Sequence, residues 1–167
     1  MADDDVPWLS QDELRTWIAL TALTEALPAA VDAQLKRDAG LNAFEYQVMA
    51  GLSDAPGHAI RMSALAAFAS GSLSRLSHAV TRLERQGYVE RRPSPDDPRA
   101  TEAVLTDAGV AKMVEAAPAH VREVRRLVVV VLTPAQMQQL GRIALRLLEV
   151  AAPQTAEMAK QAGPFRD

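Results

Sequence analysis

The sequence has no cysteine among its 167 residues. That excludes disulfides, thiolate nucleophiles and thiol-based redox sensing together. Imidazole is scarce as well. His58, His78 and His120 are its only histidines and lie far apart, so no zinc-ligand spacing is present. Aromatic residues make up 4% of the chain, while Ala, Leu and Val abound, a composition that favours helix. No uncharged apolar run reaches the roughly 18 residues of a membrane span. The opening MADDDVPW is acidic where a secretory signal needs a basic start, and the expectation is a cytoplasmic protein. Also missing are a P-loop, a Gly-rich dinucleotide turn, a nucleophile elbow and clustered metal ligands. The serines of SGSLSRLS have no base placed to activate them. These absences argue against an enzyme, and no cofactor is expected.

What the chain does have is an uneven charge. The net charge is −3, which taken alone argues against a polyanionic partner. Residues 1–57 hold three Lys/Arg against ten Asp/Glu, or −7. Residues 58–105 hold seven Arg against five acids, and residues 106–167 hold eight Lys/Arg against six acids, each +2. The arginines of the middle segment are clustered, as on a local anion-binding surface.

Residues 1–9 read as a flexible acidic arm. Ser10 precedes an acidic first turn, and Leu14, Trp17, Ile18, Leu20, Leu23 and Leu27 follow at helical spacing. Pro28 is expected to bend or interrupt that helix, which resumes through Val31 and Leu35 to Gly40. Asn42 with Glu45 fits a capping box, and Phe44, Val48, Met49 and Leu52 give the next helix a core face. HAIRM reads as a single strand. Ser63 is expected to cap a short helix with Leu65 and Phe68 turned inward. A longer helix spans about Ser72 to Gln86 and stops at Gly87, a left-handed cap. YVERR and ATEAVL read as two strands around PSPDDPR. Thr106 caps a long helix in which Pro118 marks a kink or break. LVVVVL has strand propensity, but its place between helical runs makes it the buried end of a helix. Thr133 and Pro134 open the last helix, which carries Met137, Leu140, Ile143, Leu147 and Val150.

Short helix, tight Gly turn, longer helix and hairpin together make a helix-turn-helix followed by a wing. At 100° per residue, Leu73, Leu76, Val80 and Leu83 fall in one apolar sector. Ser74, Arg75, His78, Arg82 and Arg85 take the opposite sector, with Thr81 on its edge. Fifteen residues make roughly 22 Å of helix, a rod that fits the major groove of duplex DNA. Ser72 and Ser74 allow close backbone approach and can donate to phosphate or bases. Arg75 and His78 lie in the half that reaches base edges, and Arg82 and Arg85 further back, toward phosphates. Arg91, Arg92 and Arg99 charge the hairpin, and an Arg presented on a turn can enter the minor groove. Asp97 is placed to hold Arg91 or Arg99 by a charge-assisted hydrogen bond.

Taken together, these residues resemble a known family. RMSALAAFASGSLSRLSHAVTRLERQGYVERRPSPDDPRATEAVLTDAG is similar to the winged helix-turn-helix of MarR-type transcription factors. Asp97-x-Arg99, Leu105-Thr106-x-x-Gly109 and LERQGYVERR carry the match. The resemblance implies a mainly α fold with a small β-hairpin wing. Residues 41–106 would form the DNA-binding domain, and 10–40 and 107–162 the dimerisation helices. It further implies a homodimer on double-stranded, pseudo-palindromic operator DNA, acting as a repressor released by a small aromatic or phenolic acid. Trp17, Phe44, Arg61, Met62 and His120 are the candidates to line the ligand cleft. Pro98 departs from the family, which usually has a basic residue there. A winged-helix interaction module without DNA binding is the alternative, favoured by the acidic N-terminal segment.

Overall fold

The computed structural model describes residues 6–161. Residues 1–5 of the acidic arm, and 162–167 at the other end, lie outside the described residues; Val6–Ser10 have no regular structure and are exposed. Helix α1 (Gln11–Ala39) opens on a full capping box. The Ser10 hydroxyl accepts from Glu13 N–H, and the Glu13 carboxylate accepts from Ser10 N–H. It closes on Gly40, whose φ of 67° is left-handed. Helix α2 (Ala43–Asp54) opens on the reciprocal Asn42–Glu45 box and is the centre of the lobe. Phe44, Tyr46, Val48, Met49 and Leu52 are all buried, because other elements surround this helix on most sides.

A single turn of 3-10 helix (Pro56–His58) leads into β1 (Ala59–Arg61), then α3 (Met62–Phe68), α4 (Leu73–Arg85), β2 (Val89–Pro93) and β3 (Thr101–Leu105). The sheet is antiparallel in the order β1-β3-β2. Arg61 pairs with Glu102 on one side of β3, and Arg92 with Glu102 on the other. The single strand read in HAIRM is thus the third strand of the wing. Helix α5 (Asp107–Val124) is capped by Thr106 and runs into a π-helical segment (Arg125–Val129). Helices α6 (Pro134–Ala151) and α7 (Pro153–Gln161) are the last elements among the described residues. Thr133 and Gln136 form a third capping box, with Pro134 in the first turn.

Several expectations need correction. Neither Pro28 nor Pro118 breaks its helix. Each removes one N–H from the ladder, but the residues one turn earlier, Thr24 and Val114, are exposed, so water reaches the freed carbonyls. Ser63 is not a cap. α3 begins at Met62 with no side-chain cap. Phe68 is 39% exposed rather than buried. It lies along α2 at Gly51, where an added Cβ would come within 2.5 Å of its ring. Leu73 is also exposed, at 55%, because it is the first residue of α4 and stands at the rim of the core. Of LVVVVL, residues 127–129 continue the helix as expected, in the π-helical segment, whereas 130–132 form a turn in which Val130 and Val131 are exposed rather than buried.

Candidate nucleic-acid interface

Helix α4 is held from below by Leu76, Ala79, Val80 and Leu83, all with no exposed surface. Its start is fixed by Ser72, whose hydroxyl accepts from Arg75 N–H at 3.1 Å and keeps its own proton free to donate. Its end is fixed by Gly87 at φ 77°. There Gly87 N–H donates to Glu84 carbonyl and Tyr88 N–H to Leu83 carbonyl, a complete left-handed stop. With the rod clamped at both ends, Ser74, Arg75, His78 and Arg85 project into solvent. Sequence reasoning put these four on one outward face, and the structure brings them together there.

Two other members of that set are differently engaged. Arg82 donates to Glu45 of α2, and the Glu45 side chain is only 7% exposed. Glu45 therefore caps α2 and anchors the back of α4 at once, which sequence reasoning saw only as capping. Thr81 is half-buried, donates to Ser77 carbonyl and accepts from Arg91. At the front, the Arg75 guanidinium stacks 4.2 Å above the Phe44 ring. That ring fits because residue 71 is glycine; a Cβ there would stand 2.8 Å from it.

Arg91 turns away from solvent toward α4. It pairs with Glu84 and donates to Ser77 and Thr81. Arg92 pairs across the ladder with Glu102, which also accepts from the Ser94 hydroxyl at 2.8 Å. The wing tip is a tight turn closed by Ala100 N–H donating to Asp97 carbonyl at 2.9 Å. Pro98 occupies its second position, where a fixed φ suits the turn. Asp97 does hold Arg99, but through the backbone. Its carboxylate accepts from Arg99 N–H at 3.0 Å, leaving the guanidinium unclaimed by Asp97. The expected charge-assisted bond is thus an Asx turn, and Arg91 takes Glu84 instead. Arg99 itself is exposed at the tip.

The five residues expected to line one ligand cleft do not meet. Arg61 reaches the wing loop, with its guanidinium 3.8 Å from Asp96. Met62 packs half-buried on the core at the start of α3, and Trp17 stands exposed on α1. Phe44 and His120 line two separate open grooves. The larger, about 800 Å³, lies between α1 and α4 and includes Lys36, Phe44, Ser74, Arg75, His78 and Arg82. The smaller, about 370 Å³, is mostly apolar and is bounded by Leu27, Val31, Leu35, Tyr46 and His120 among others. The His120 and Tyr46 rings are 4.5 Å apart, and His120 Nδ1 is buried with no partner among the described residues. Burial pushes the His120 imidazole down from its ordinary pKa and the Tyr46 phenol up. Among the described residues no group of three or more His, Asp or Glu could hold a metal ion, and no helix is long and apolar enough to cross a membrane.

The model of the MarR family matches residues 41–101, the stretch from just before α2 to the first residue of β3. Among solved structures, Sco3205 of Streptomyces coelicolor, a MarR family transcriptional regulator solved in complex with DNA, is 38% identical. The alignment covers 90% of this chain and 94% of that one, with a TM-score of 0.85. AbsC of Streptomyces coelicolor, also a MarR family transcriptional regulator, is 32% identical over 87% of this chain and 98% of its own, with a TM-score of 0.82. PcaV of the same organism, solved with its natural ligand, is 17% identical over 87% of this chain and 99% of its own, with a TM-score of 0.71, a likeness of fold alone. No curated protein gave a significant match to the sequence.

Proposed function

Because this chain belongs to the MarR family of transcriptional regulators, we propose that it binds operator DNA as a homodimer, with α4 in the major groove and the wing beside it. The observation that carries this reading is the outward face of α4. Ser74, Arg75, His78 and Arg85 are presented together, and Arg99 is exposed at the tip of an ordered turn nearby. Ser72 and Ser74 approach the backbone of the duplex. Arg75 and His78 read base edges, and Arg82 and Arg85 contact phosphates, Arg82 steered by Glu45. Arg99 is the minor-groove residue, and Asp97 sets the turn that presents it. The DNA-bound state of Sco3205 supports this assignment by likeness.

The dimer reading rests on apolar faces that the single chain leaves bare. Trp17, Ile18 and Leu23 on α1, and Ile143 and Leu147 on α6, are each about half exposed. In this reading residues 10–40 and 107–162 are dimerisation helices, and 41–106 form the DNA-binding domain. Twofold pairing would set two copies of α4 about one helical turn of DNA apart, on a pseudo-palindromic site.

The finer reading is repression relieved by a small aromatic or phenolic acid in the larger groove. Phe44 offers a ring face there, Lys36 and Arg75 offer positive charge, and His78 offers a ring nitrogen for a hydrogen bond. A carboxylate held by Arg75 occupies the side chain that would otherwise meet DNA, which provides the differential affinity such a switch requires.

Selection of bound duplexes from a random library tests the function. The expected result is a site with two inverted halves about ten base pairs apart and an affinity that falls steeply with added salt. Enrichment of no sequence, with no salt-sensitive binding to any duplex, overturns it in favour of a winged-helix interaction module.

A further inference from the structure

The wing follows α4 through Gln86, Gly87 and Tyr88, with the left-handed Gly87 as its pivot, and its base is packed on the core by Val89, Ala103 and Leu105. A three-residue joint does not by itself set the angle between hairpin and helix. Arg91, four residues past the pivot, bridges hairpin and helix beyond that joint. It lies on the same side of β2 as the buried Val89, two residues away in the alternation of the strand. Its side chain is 27% exposed. One terminal nitrogen donates to Glu84. The other donates to Ser77 carbonyl at 2.9 Å, to Ser77 hydroxyl at 3.3 Å and to Thr81 hydroxyl at 3.2 Å. Positions 77, 81 and 84 form one stripe along α4, spanning roughly 10 Å of its length at 1.5 Å per residue. The flat guanidinium fork suits such a multi-point contact, where an ammonium does not.

We propose that Arg91 is a positioning residue: it sets the wing at a fixed angle to the reading helix, with Glu84 as its counter-charge, and does not itself contact DNA. The inference rests on the DNA-binding reading above and reassigns one residue within it. To reach a phosphate, Arg91 would have to leave Glu84, exposing an unpaired carboxylate next to a polyanion. The acid therefore belongs to the interface although its charge is the wrong sign for it.

That sign supplies the test. Removing a carboxylate near DNA tightens binding if charge alone matters, whereas Glu84→Gln weakens it if Glu84 holds Arg91. Binding of wild type, Arg91→Ala, Arg91→Lys and Glu84→Gln is measured by fluorescence anisotropy. Each protein is tested against the library-selected duplex and a scrambled one, across a salt series. Arg91→Ala and Glu84→Gln should each lose about tenfold at the selected duplex, the scale of coupling within one hydrogen-bond network. At the scrambled duplex both should change little, and the salt dependence should keep its slope. Arg91→Lys should fall between wild type and Arg91→Ala. Tighter binding by Glu84→Gln overturns the proposal. So does an Arg91→Ala variant whose salt slope drops by about one while its sequence preference persists, the mark of a lost phosphate contact.

Amide hydrogen exchange on the DNA-free protein makes the test independent of the parent reading. Arg91→Ala and Glu84→Gln should speed exchange in residues 89–105 and leave 107–124 unchanged. Unaltered protection of the hairpin overturns the positioning role even if no duplex binds, while faster exchange with no DNA binding by wild type refutes the DNA reading and leaves the clamp standing.

Discussion

Gly109 offers a stringent check on how the wing is joined to the rest of the molecule. It lies in the first turn of α5, directly beneath the Tyr88 carbonyl. An ideal Cβ at this position would stand 2.2 Å from that oxygen and 2.6 Å from Leu105 Cδ1. Carbon and carbonyl oxygen in contact ordinarily sit at about 3.3–3.6 Å, so Gly109→Ala must push two backbones apart by roughly 1 Å. The oxygen cannot swing aside cheaply, because it accepts from Thr106 N–H at 3.0 Å. Thr106 is pinned in turn: its hydroxyl donates to Gly87 carbonyl at 2.7 Å and accepts from Gly109 N–H at 3.1 Å. Forcing one methyl into such a joint costs about 1–3 kcal/mol. Replacing glycine within a helix returns up to about 1 kcal/mol. Against a pinned backbone oxygen the upper part of that cost applies, about 2–3 kcal/mol, so the expected net loss is roughly 1–2 kcal/mol, a 5- to 30-fold fall in the ratio of folded to unfolded protein.

Urea or thermal unfolding followed by circular dichroism reads this loss as a melting point lower by about 2–8 °C for a chain of this size. Variant and wild type are compared at equal protein concentration, because association shifts the apparent stability. Melting at or above the wild-type temperature refutes the reasoning, since it means helix propensity governs this site and the close approach to Tyr88 carries no weight. Gly87→Ala is the contrast. Nothing lies within 4 Å of its would-be Cβ, so its loss comes from φ 77° alone.

Other expectations follow from the same geometry. Arg75→Ala should lose about 1–3 kcal/mol of discrimination against one base. Arg85→Ala should instead weaken all duplexes alike and reduce the salt slope by about one; identical profiles for the two would refute the division of roles along α4. Ile143→Glu places a charge on the bare face of α6 and should convert the dimer to monomer on gel filtration at micromolar concentration, and an unchanged elution volume would refute that face as the interface. His120 has its pKa lowered by burial, so the unfolded chain takes up a proton before the folded one does. Its contribution is constant above its ordinary value of about 6.5 and makes stability fall as pH drops toward the folded-state value. His120→Phe should remove that decline, seen as a smaller fall in melting temperature between pH 7.5 and pH 5.5.

What could be read from the sequence was what short-range chemistry decides. Ser10, Asn42, Thr106 and Thr133 cap their helices through residues three positions away, so each signal is complete within one turn. Gly87 is legible for the same reason. The break that Pro28 and Pro118 could have made is absent because their effect depends on whether water reaches the carbonyl one turn back, and that depends on tertiary exposure. Leu73 and Phe68 misled because periodicity locates a face but not the edge of the core. The Arg91 clamp had a faint local signal. Glu84 is an acid set between Arg82 and Arg85, out of keeping with a surface meant for phosphate. Only the folding back of β2 reveals that its partner is Arg91. Arg61 stands apart from the other residues expected at a ligand cleft because it is on a strand of the wing, and strand pairing across a turn is not encoded by spacing.

The net charge shows the same lesson from the other direction. A total of −3 speaks against a nucleic-acid partner, and the first 57 residues are more acidic still. Many of those acids, however, are engaged close to home. Glu13 closes a capping box; Asp32 accepts from Ala43 N–H and pairs with Lys36; Asp38 pairs with Arg37; Glu45 binds Arg82. Fields from exposed charges fade beyond about 8 Å at physiological salt, so a duplex bound at α4, as proposed, would sense the charges on α4 and the wing rather than the sum over the chain. The basic side chains there without an acidic partner among the described residues, Arg75, Arg85 and Arg99, set the local sign, with the half-exposed Arg82 beside them. A protein of negative total charge can therefore present a cationic surface, provided its acids lie beyond the screening length, are paired with cations or, like Glu84, are turned into supports for that surface.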